Sequence, residues 1–574
     1  MAKKQIPPTA VAHDMNVDLL VVGSGTGMAA ALAANELGLS TLIIEKTSYV
    51  GGSTARSGGA FWIPGSSILS KFGKRTDPLP AASDYIRSVV GDTAPADRGQ
   101  AFLENGAATV EMLSRTTPMK FFWAKGYSDY HPEKPGGRAE GRTCECRPFD
   151  ASVLGDERDR LRPGVMEAPV PMPVTGAEYK WMNLMAKKPV KAVPRILRRV
   201  VQGLGGMVIG REYIAGGQAL AAGMFAGVLH ADIPVWTETS LVELLQDSDG
   251  RVTGALIGQA GRQFTVTVRC GVVLAAGGFD HNVEWRRKYQ SENLVDHASF
   301  GSEGDTGDAI ALSQDLGAGL ESMDQAWWFP AFAALPGDKP LVMLAERSLP
   351  GSFIVDQSGR RFINESVDYM SFGQEVLRRE QAGTPVDEMW IIFDQEYRNS
   401  YVMAGGLFPR QPIPKAWYDA GVAQSAGSPA ELAKLIDVPV DALEDTFRTF
   451  NQSAENGSDA DFHRGESAYD RYYGDPTVAP NPNLRALEDG PFFAVKMVLS
   501  DLGTCGGVTA DRSARVVRED GSVIRGLYAI GNTAANAFGH TYPGAGATIG
   551  QGLVYGYIAA HHAAAAKNAN TVDA

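Results

Sequence analysis

Apolar residues first gather at Val17-Asp18-Leu19-Leu20-Val21-Val22, a run of strand length that predicts a buried strand. Gly23-Ser24-Gly25-Thr26-Gly27 follows. Small helix formers then run from Met28 to Leu37 and stop at Gly38. Thr41-Leu42-Ile43-Ile44 is a second apolar run, ending at Glu45. The order strand, glycine turn, helix, strand, acid predicts a βαβ unit.

Beyond this unit the pattern is patchier. Residues 1–16 read as a polar tail, 51–60 as small and polar, 134–150 as irregular and 157–180 as a connecting loop. A helix is predicted over 219–225 and a strand near 232–236. A hairpin is predicted from 241–245 and 251–257, joined through Asp247-Ser248-Asp249-Gly250. Residues 272–278 run from an apolar strand into glycines. After about residue 322 the texture changes. A hairpin is expected from 351–356 and 361–364. Ser428-Pro429-Ala430-Glu431 reads as a capping box opening a helix over 431–436, and 441–452 as an amphipathic helix. Near Thr504 the glycine-rich texture returns, and 526–532 again reads as a strand entering a tight turn.

Composition sets limits on this picture. With 574 residues, 44% apolar and 21% charged, the chain has material for two or three domains, or one large discontinuous one. Its 65 glycines exceed the average of about 7% and point to tight turns and close backbone approaches. A net charge of −13 argues against general nucleic-acid binding. The charge is uneven. Residues 180–210 hold Lys180, Lys187, Lys188, Lys191, Arg195, Arg198 and Arg199 and no acid, which leaves −20 on the rest. Four cysteines (Cys144, Cys146, Cys270, Cys505) fit a reducing compartment, and Cys144-Glu145-Cys146 lacks the further ligands of a metal site. No secretory leader and no membrane-spanning run is expected, which suggests a cytoplasmic protein.

The βαβ unit carries the first chemistry. A helix N-terminus offers free N–H groups and partial positive charge to a pyrophosphate, and glycines let the backbone come close. Glu45 lies 22 residues after Gly23, the spacing of an acid that binds a ribose hydroxyl. One departure is Met28, which stands where the third glycine is expected, with Gly27 beside it. The second cluster, Gly51-Gly52-Ser53-Thr54-Ala55-Arg56-Ser57-Gly58-Gly59, favours FAD over NAD, because it can wrap an extended cofactor. The later glycines Gly531, Gly544 and Gly546 fit a flavin ring held by the C-terminal part.

Further segments carry a specific resemblance. They are VVGSGTGMAAALAA (21–34), EKTSYVGGSTARSGGAFWIPG (45–65), GYSDYHPEKPGGR (126–138) and TGDA (306–309), then RRFINESVDY (360–369), DFHRGESAYDRYYGDP (461–476), SDLGTCGG (500–507) and GLYAIGNTAANAFGHTYPGAGATIGQGL (526–553). Over about residues 17–565 the chain resembles flavoproteins of the fumarate reductase and succinate dehydrogenase superfamily, most closely the 3-ketosteroid Δ1-dehydrogenases. The resemblance implies an α/β fold. A doubly wound, Rossmann-like FAD-binding domain would comprise 17–322 and 504–574, with an inserted α+β catalytic domain at 323–503. The glycine motifs and the resemblance together make Gly23, Ser24, Gly25, Gly27, Met28, Glu45, Lys46, Gly52, Ser53, Thr54, Ser57, Gly58, Gly59, Ser240, Ala276, Gly277, Asp308, Gly531, Asn532, Gly546, Thr548 and Ile549 the candidate cofactor-binding residues. Attachment is expected to be non-covalent, since 45–65 contains no histidine, and no metal is expected.

The family reaction removes hydrogens across C1–C2 of a 3-ketosteroid A ring, with a proton leaving C2 and hydride passing from C1 to flavin N5. The resemblance assigns the oxyanion donors to the Tyr542 hydroxyl and the Gly546 N–H, the base to Tyr369, and its relay partner to Tyr130. It gives Asp129, His131, His463 and His540 structural roles. Residues 534–550 contain no arginine, which argues against a dicarboxylate substrate. The alternatives are a 3-ketosteroid 4-dehydrogenase of the same superfamily and a flavin-binding protein without steroid turnover. The substrate could carry a sterol side chain, and a quinone-like electron acceptor is expected. In the basic island Pro194 reads as a helix start before Ile196, Leu197, Val200, Val201 and Leu204. A basic amphipathic helix suggests peripheral attachment to the inner face of the membrane, where a water-insoluble ketone would be collected.

Overall fold

The computed structural model describes residues 11–72, 77–165 and 171–572. Residues 1–10 of the expected tail and 166–170 of the expected loop lie outside the described residues. Met15–Val22 is a strand whose last six residues are buried. It runs parallel to Thr41–Ile44 on one side and to Arg262–Leu274 on the other. Val235–Trp236 extends the parallel pairing beyond Thr41–Ile44, and Val523–Ala529 extends it beyond Arg262–Leu274. Thr239–Gln246 and Val252–Gln259 form the predicted hairpin, which folds back antiparallel on Arg262–Leu274. With Arg515–Val517 at the far edge, the result is an eight-stranded mixed sheet. Its central strands read as continuous apolar runs because both faces are covered. The helix Gly27–Glu36 lies on one face and packs against the long helix Ala547–Val572.

A second, antiparallel sheet of six strands is built from residues 326–504, around the long strand Phe492–Thr504. A third sheet has three short strands, Ala60–Trp62, Thr143–Cys146 and Phe121–Trp123. Two of its residues, Ala60 and Glu145, line the cleft described below.

Several local expectations change. Thr143–Cys146 and Phe149–Asp150 are strands within the stretch read as irregular, and Gly176–Asn183 is a helix at the end of the expected loop. Residues 351–364 do not form a hairpin. A tight turn does close at Gly359, but Ser352–Asp356 pairs with Met389–Phe393, more than 30 residues on in the chain. Arg361 is drawn away instead, to the carboxylates of Glu365 and Asp459, each at 2.7 Å. The helix Pro429–Leu435 is capped by the Ser428 hydroxyl, which accepts the Glu431 N–H at 3.2 Å, and the next helix spans Val440–Asn456. Pro194 lies inside its helix, Pro189–Val208, which begins at another proline.

The Arg361 contacts belong to a buried charge network that fixes residues 361–369. Glu365 also accepts from Arg464 at 3.0 Å, and Arg464 donates to the carbonyls of Ser352 and Leu349. Arg347 donates to the carbonyls of Glu365 and Val367. A buried carboxylate between two guanidiniums is compensated only while all three charges remain. Glu365→Gln is therefore expected to cost about 3–5 kcal/mol of stability, read as a lower thermal midpoint by circular dichroism. An unchanged midpoint would show that the network does not hold this segment.

Candidate active site

The strand Met15–Val22 delivers Gly23 against the backbone of Ala275. Its φ is +106°, and a Cβ there would lie 2.1 Å from the Ala275 carbonyl oxygen, so only glycine fits. The Met28 departure has a packing explanation. Gly27 makes the close approach, where a Cβ would lie 2.8 Å from Val21, and Met28 is buried inside the helix. Glu45, at the end of the second strand, is buried and held by four donors. The Ser24 hydroxyl and N–H reach one oxygen at 2.6 and 3.2 Å, and those of Thr47 reach the other at 2.8 and 2.9 Å.

One cleft starts at this turn. Of the predicted cofactor residues, Gly23, Ser24, Gly25, Glu45, Lys46, Gly52, Ser53, Thr54, Ser57, Gly58, Gly59, Ala276, Gly277, Asp308, Gly531, Asn532, Gly546, Thr548 and Ile549 line it. Gly27 and Met28 stand behind the wall. Ser240 does not reach it. Strand alternation brings Thr239 and Leu241 to the wall and turns Ser240 away. Lys46 reaches Thr306 and Asp308, each at 2.6 Å. Burial pushes the Asp308 carboxyl up, but Lys46 and Thr306 hold it below its ordinary value.

Asp305 also lines the cleft, two residues before the TGDA motif ends its first pair, and no spacing rule pointed to it. The Ser53 hydroxyl donates to it at 2.6 Å. Burial pushes its carboxyl up to about 7 against that hydrogen bond, helped by the charge of Glu45. The helix N-terminus, the glycine turn and the buried acid fit a dinucleotide, and the second cluster continues that wall as a longer cofactor requires.

Farther along, the cleft meets tyrosines. The hydroxyls of Tyr130 and Tyr369 are 2.8 Å apart, with Tyr130 donating. The rings of Tyr369 and Tyr542 lie 5.4 Å apart, and those of Tyr130 and Tyr542 5.2 Å apart. Tyr369 and Tyr542 line the cleft, while Tyr130 stands behind them. Burial raises all three phenols above their ordinary value. The Tyr130 hydroxyl pulls Tyr369 down, and the N–H groups of Gly546 and Thr548 act in the same direction on Tyr542. Gly546 has φ +87°, and a Cβ there would lie 2.2 Å from the Ala60 carbonyl oxygen. Tyr369 is also the first residue of the helix Tyr369–Gln381, capped by Asp368, which accepts the Ser371 N–H at 3.0 Å.

Asp129, His131 and His463, in the same motifs, do not line the cleft. Asp129 is buried in an ion pair with Arg142 and accepts from Trp62 at 2.9 Å. His131 lies 3.4 Å from the Thr541 hydroxyl, and His463 is exposed beside Glu466. The remaining wall is aromatic and apolar, including Tyr127, Phe329, Leu344, Tyr473 and Leu502, with one carboxyl, Glu145. Tyr127 and Tyr473 fall in motifs that had drawn attention to other residues.

The sequence profile of the FAD binding domain family matches residues 18–549. A 3-oxosteroid 1-dehydrogenase of Mycolicibacterium smegmatis is 42% identical over 95% of this chain and 96% of its own length. A 4-oxocyclohex-2-ene-1-carboxylate 5-dehydrogenase of Sinomonas cyclohexanicum is 34% identical over 94% of this chain and 92% of its own. Among solved structures, a 3-ketosteroid Δ1-dehydrogenase from Sterolibacterium denitrificans, in complex with 1,4-androstadiene-3,17-dione, superimposes with a TM-score of 0.91 at 35% identity. The match covers 96% of this chain and all of that one.

Gly23→Ala is expected to yield a folded protein that loses its flavin on purification, because the added methyl displaces the turn from Ala275. The ratio of flavin to protein absorbance measures this. Stoichiometric flavin would show that the turn tolerates a side chain.

Proposed function

The chain belongs to the FAD-binding family that includes the 3-oxosteroid 1-dehydrogenases, and on that premise we propose that it desaturates C1–C2 of 3-ketosteroids with non-covalently bound FAD. The observation that carries this reading is the Tyr130–Tyr369 hydroxyl pair beside Tyr542 in the cleft that begins at the glycine turn. The Tyr542 hydroxyl and the Gly546 N–H bind the C3 oxygen and stabilise negative charge developing there. Polarising that carbonyl acidifies C2, and Tyr369 takes the C2 proton. Burial opposes the ionised phenol. The Tyr130 hydroxyl offsets part of that cost and relays the proton onward. The flavin, when bound, supplies the hydride acceptor for C1. A quinone-type oxidant takes the electrons.

The division of labour follows the sheets. Residues 17–322 and 504–574 form the FAD-binding part and 323–503 the catalytic part. The sharing of one sheet by strands from 15–274 and 515–529 supports this.

Tyr369→Phe removes the base but keeps the ring. It should slow reduction of bound flavin by a 3-ketosteroid by about 10²–10⁴-fold while leaving flavin content unchanged. Anaerobic stopped-flow bleaching measures it, and wild-type rates would rule out Tyr369 as the base. Desaturation of a product at C4–C5 instead of C1–C2, read by mass spectrometry and NMR, would replace the assignment with the 4-dehydrogenase.

We further propose that the helix Pro189–Val208 rests on an anionic bilayer surface. Val190, Val193, Leu197, Val201, Leu204 and Val208 form an exposed stripe, with Val190 and Val208 each 87% exposed. The opposite face turns inward at Ala192, Arg199, Gly203 and Gly206. Arg199 pairs with Glu178 at 2.8 Å, so part of the basic charge is internal. Arg198 is exposed beside the stripe, while Lys191 and Arg195 lie over the Trp181 ring, 5.1 and 5.0 Å from its centre, so Arg198 is the charge most directly offered to anionic lipid. Among the described residues no helix is long and apolar enough to cross a membrane. Leu197→Asp with Val201→Asp should abolish flotation with anionic liposomes, and unchanged flotation would overturn the contact.

A further inference from the structure

Glu145 is a carboxyl in the wall of the cleft that the chemistry above leaves unused. It lies on the strand Thr143–Cys146, opposite Ala60. Thr143 and Glu145 share a face by alternation, and the Thr143 hydroxyl donates to the Ala545 carbonyl at 3.1 Å, one residue before the proposed oxyanion donor. Glu145 is only 2% exposed and lines the cleft. Among the described residues neither of its carboxyl oxygens makes a close hydrogen bond, and the donors that face it are the Gly176 and Ala177 amides at a helix start. Gly176, the first residue of the helix Gly176–Asn183, makes room for it. A Cβ there would lie 3.0 Å from Oε1.

Buried polar groups are ordinarily paired, and one facing a cleft is paired by what enters the cleft. We propose that Glu145 is a specificity-determining residue whose carboxyl hydrogen-bonds a ketone or hydroxyl oxygen that the steroid carries outside its reacting ring. This rests on the 3-ketosteroid reading above. The surrounding wall (Tyr127, Val165, Leu344, Tyr473) would accept hydrocarbon, but a hydrocarbon side chain would leave the carboxyl unpaired. Oxygenated substrates are therefore preferred over those with a purely hydrocarbon substituent.

The protonation state suits this role. Burial pushes the Glu145 carboxyl up to about 8, against the Ala177 and Gly176 amides. The charged groups around it are Glu178, which pushes it further up, and Arg199, which pulls it down while paired to Glu178. The Tyr127 and Tyr472 phenols also face it. At pH 7 it is neutral and can donate to a ketone. Above about pH 8 the carboxylate only accepts, so it can bind a hydroxyl but repels a ketone.

The test compares kcat/KM for three 3-ketosteroids that carry at C17 a ketone, a hydroxyl or no oxygen. Wild-type enzyme at pH 7 is expected to favour both oxygenated substrates by about tenfold. Glu145→Leu should remove that preference while leaving the oxygen-free substrate within about twofold of wild type. Glu145→Gln, which keeps a donor, should retain the preference. Raising the pH through 8 should lower the ketone-to-hydroxyl ratio in wild type and leave it flat in Glu145→Gln, a readout that survives if the leucine variant fails to fold. A preference that persists in Glu145→Leu, an equal loss on all three substrates, or the same pH profile in Glu145→Gln as in wild type would each overturn the proposal. Wild-type protein that turns over none of the three would overturn the functional reading, and this proposal with it. Failure confined to the ratios would leave the functional reading standing.

Discussion

A hydrogen bond of 2.8 Å between the Tyr130 and Tyr369 hydroxyls holds the active cleft together. It joins segments 239 residues apart, and each must be fixed independently for the two oxygens to meet. On one side the Pro543 carbonyl accepts the Tyr130 N–H at 3.1 Å and the Tyr85 hydroxyl at 2.7 Å, which ties the 126–138 segment to the stretch carrying Tyr542. Behind it, Arg142 sits between Asp129 and Asp77. On the other side Glu365 and its arginines pin the loop that feeds Tyr369 into its helix. Buried ion pairs are weak evidence for net stability but strong determinants of position, because breaking one strands a charge.

The same burial that permits this precision sets the acid–base character of the cleft. Phenols and carboxyls are pushed toward their neutral forms, and only local donors push back. Tyr369 has one such donor, the Tyr130 hydroxyl. Asp305 has the Ser53 hydroxyl and is raised only to about 7. Glu145 has only the weak pull of the helix amides, and its carboxyl rises to about 8. Even with a partner, burial keeps the Tyr369 phenol above its ordinary value. Glu145, faced only by the Gly176 and Ala177 amides, is the carboxyl left to respond to what enters the cleft.

The wall of the cleft was legible from sequence wherever glycines and small polar residues had to approach a ligand, as at 23–25 and 51–59. Ser240 was misplaced because a motif gives a position along a strand but not the face it presents. Pro194 was misread as a helix start because the helix already opens at Pro189, and Pro194 stands inside it. The 351–364 hairpin failed because the turn chemistry at Gly359 is real, while the partner of Ser352–Asp356 is decided by the second sheet. Tyr127 lay in a motif read for other residues, and no spacing rule pointed to Asp305 or Glu145.

By itself the sequence determined the βαβ unit and its glycine turn, and the resemblance it carries singled out three tyrosines that the structure brings together. Each depends on contacts within a short segment or on a motif recognisable as a unit. Only the tertiary structure decided which way the island helix turns, with its apolar stripe outward and Arg199 inward. It alone decided that Glu145 reaches the cleft with neither oxygen making a close hydrogen bond. Both depend on which distant surfaces meet, and orientation relative to a remote partner is not encoded in the spacing of residues along one segment.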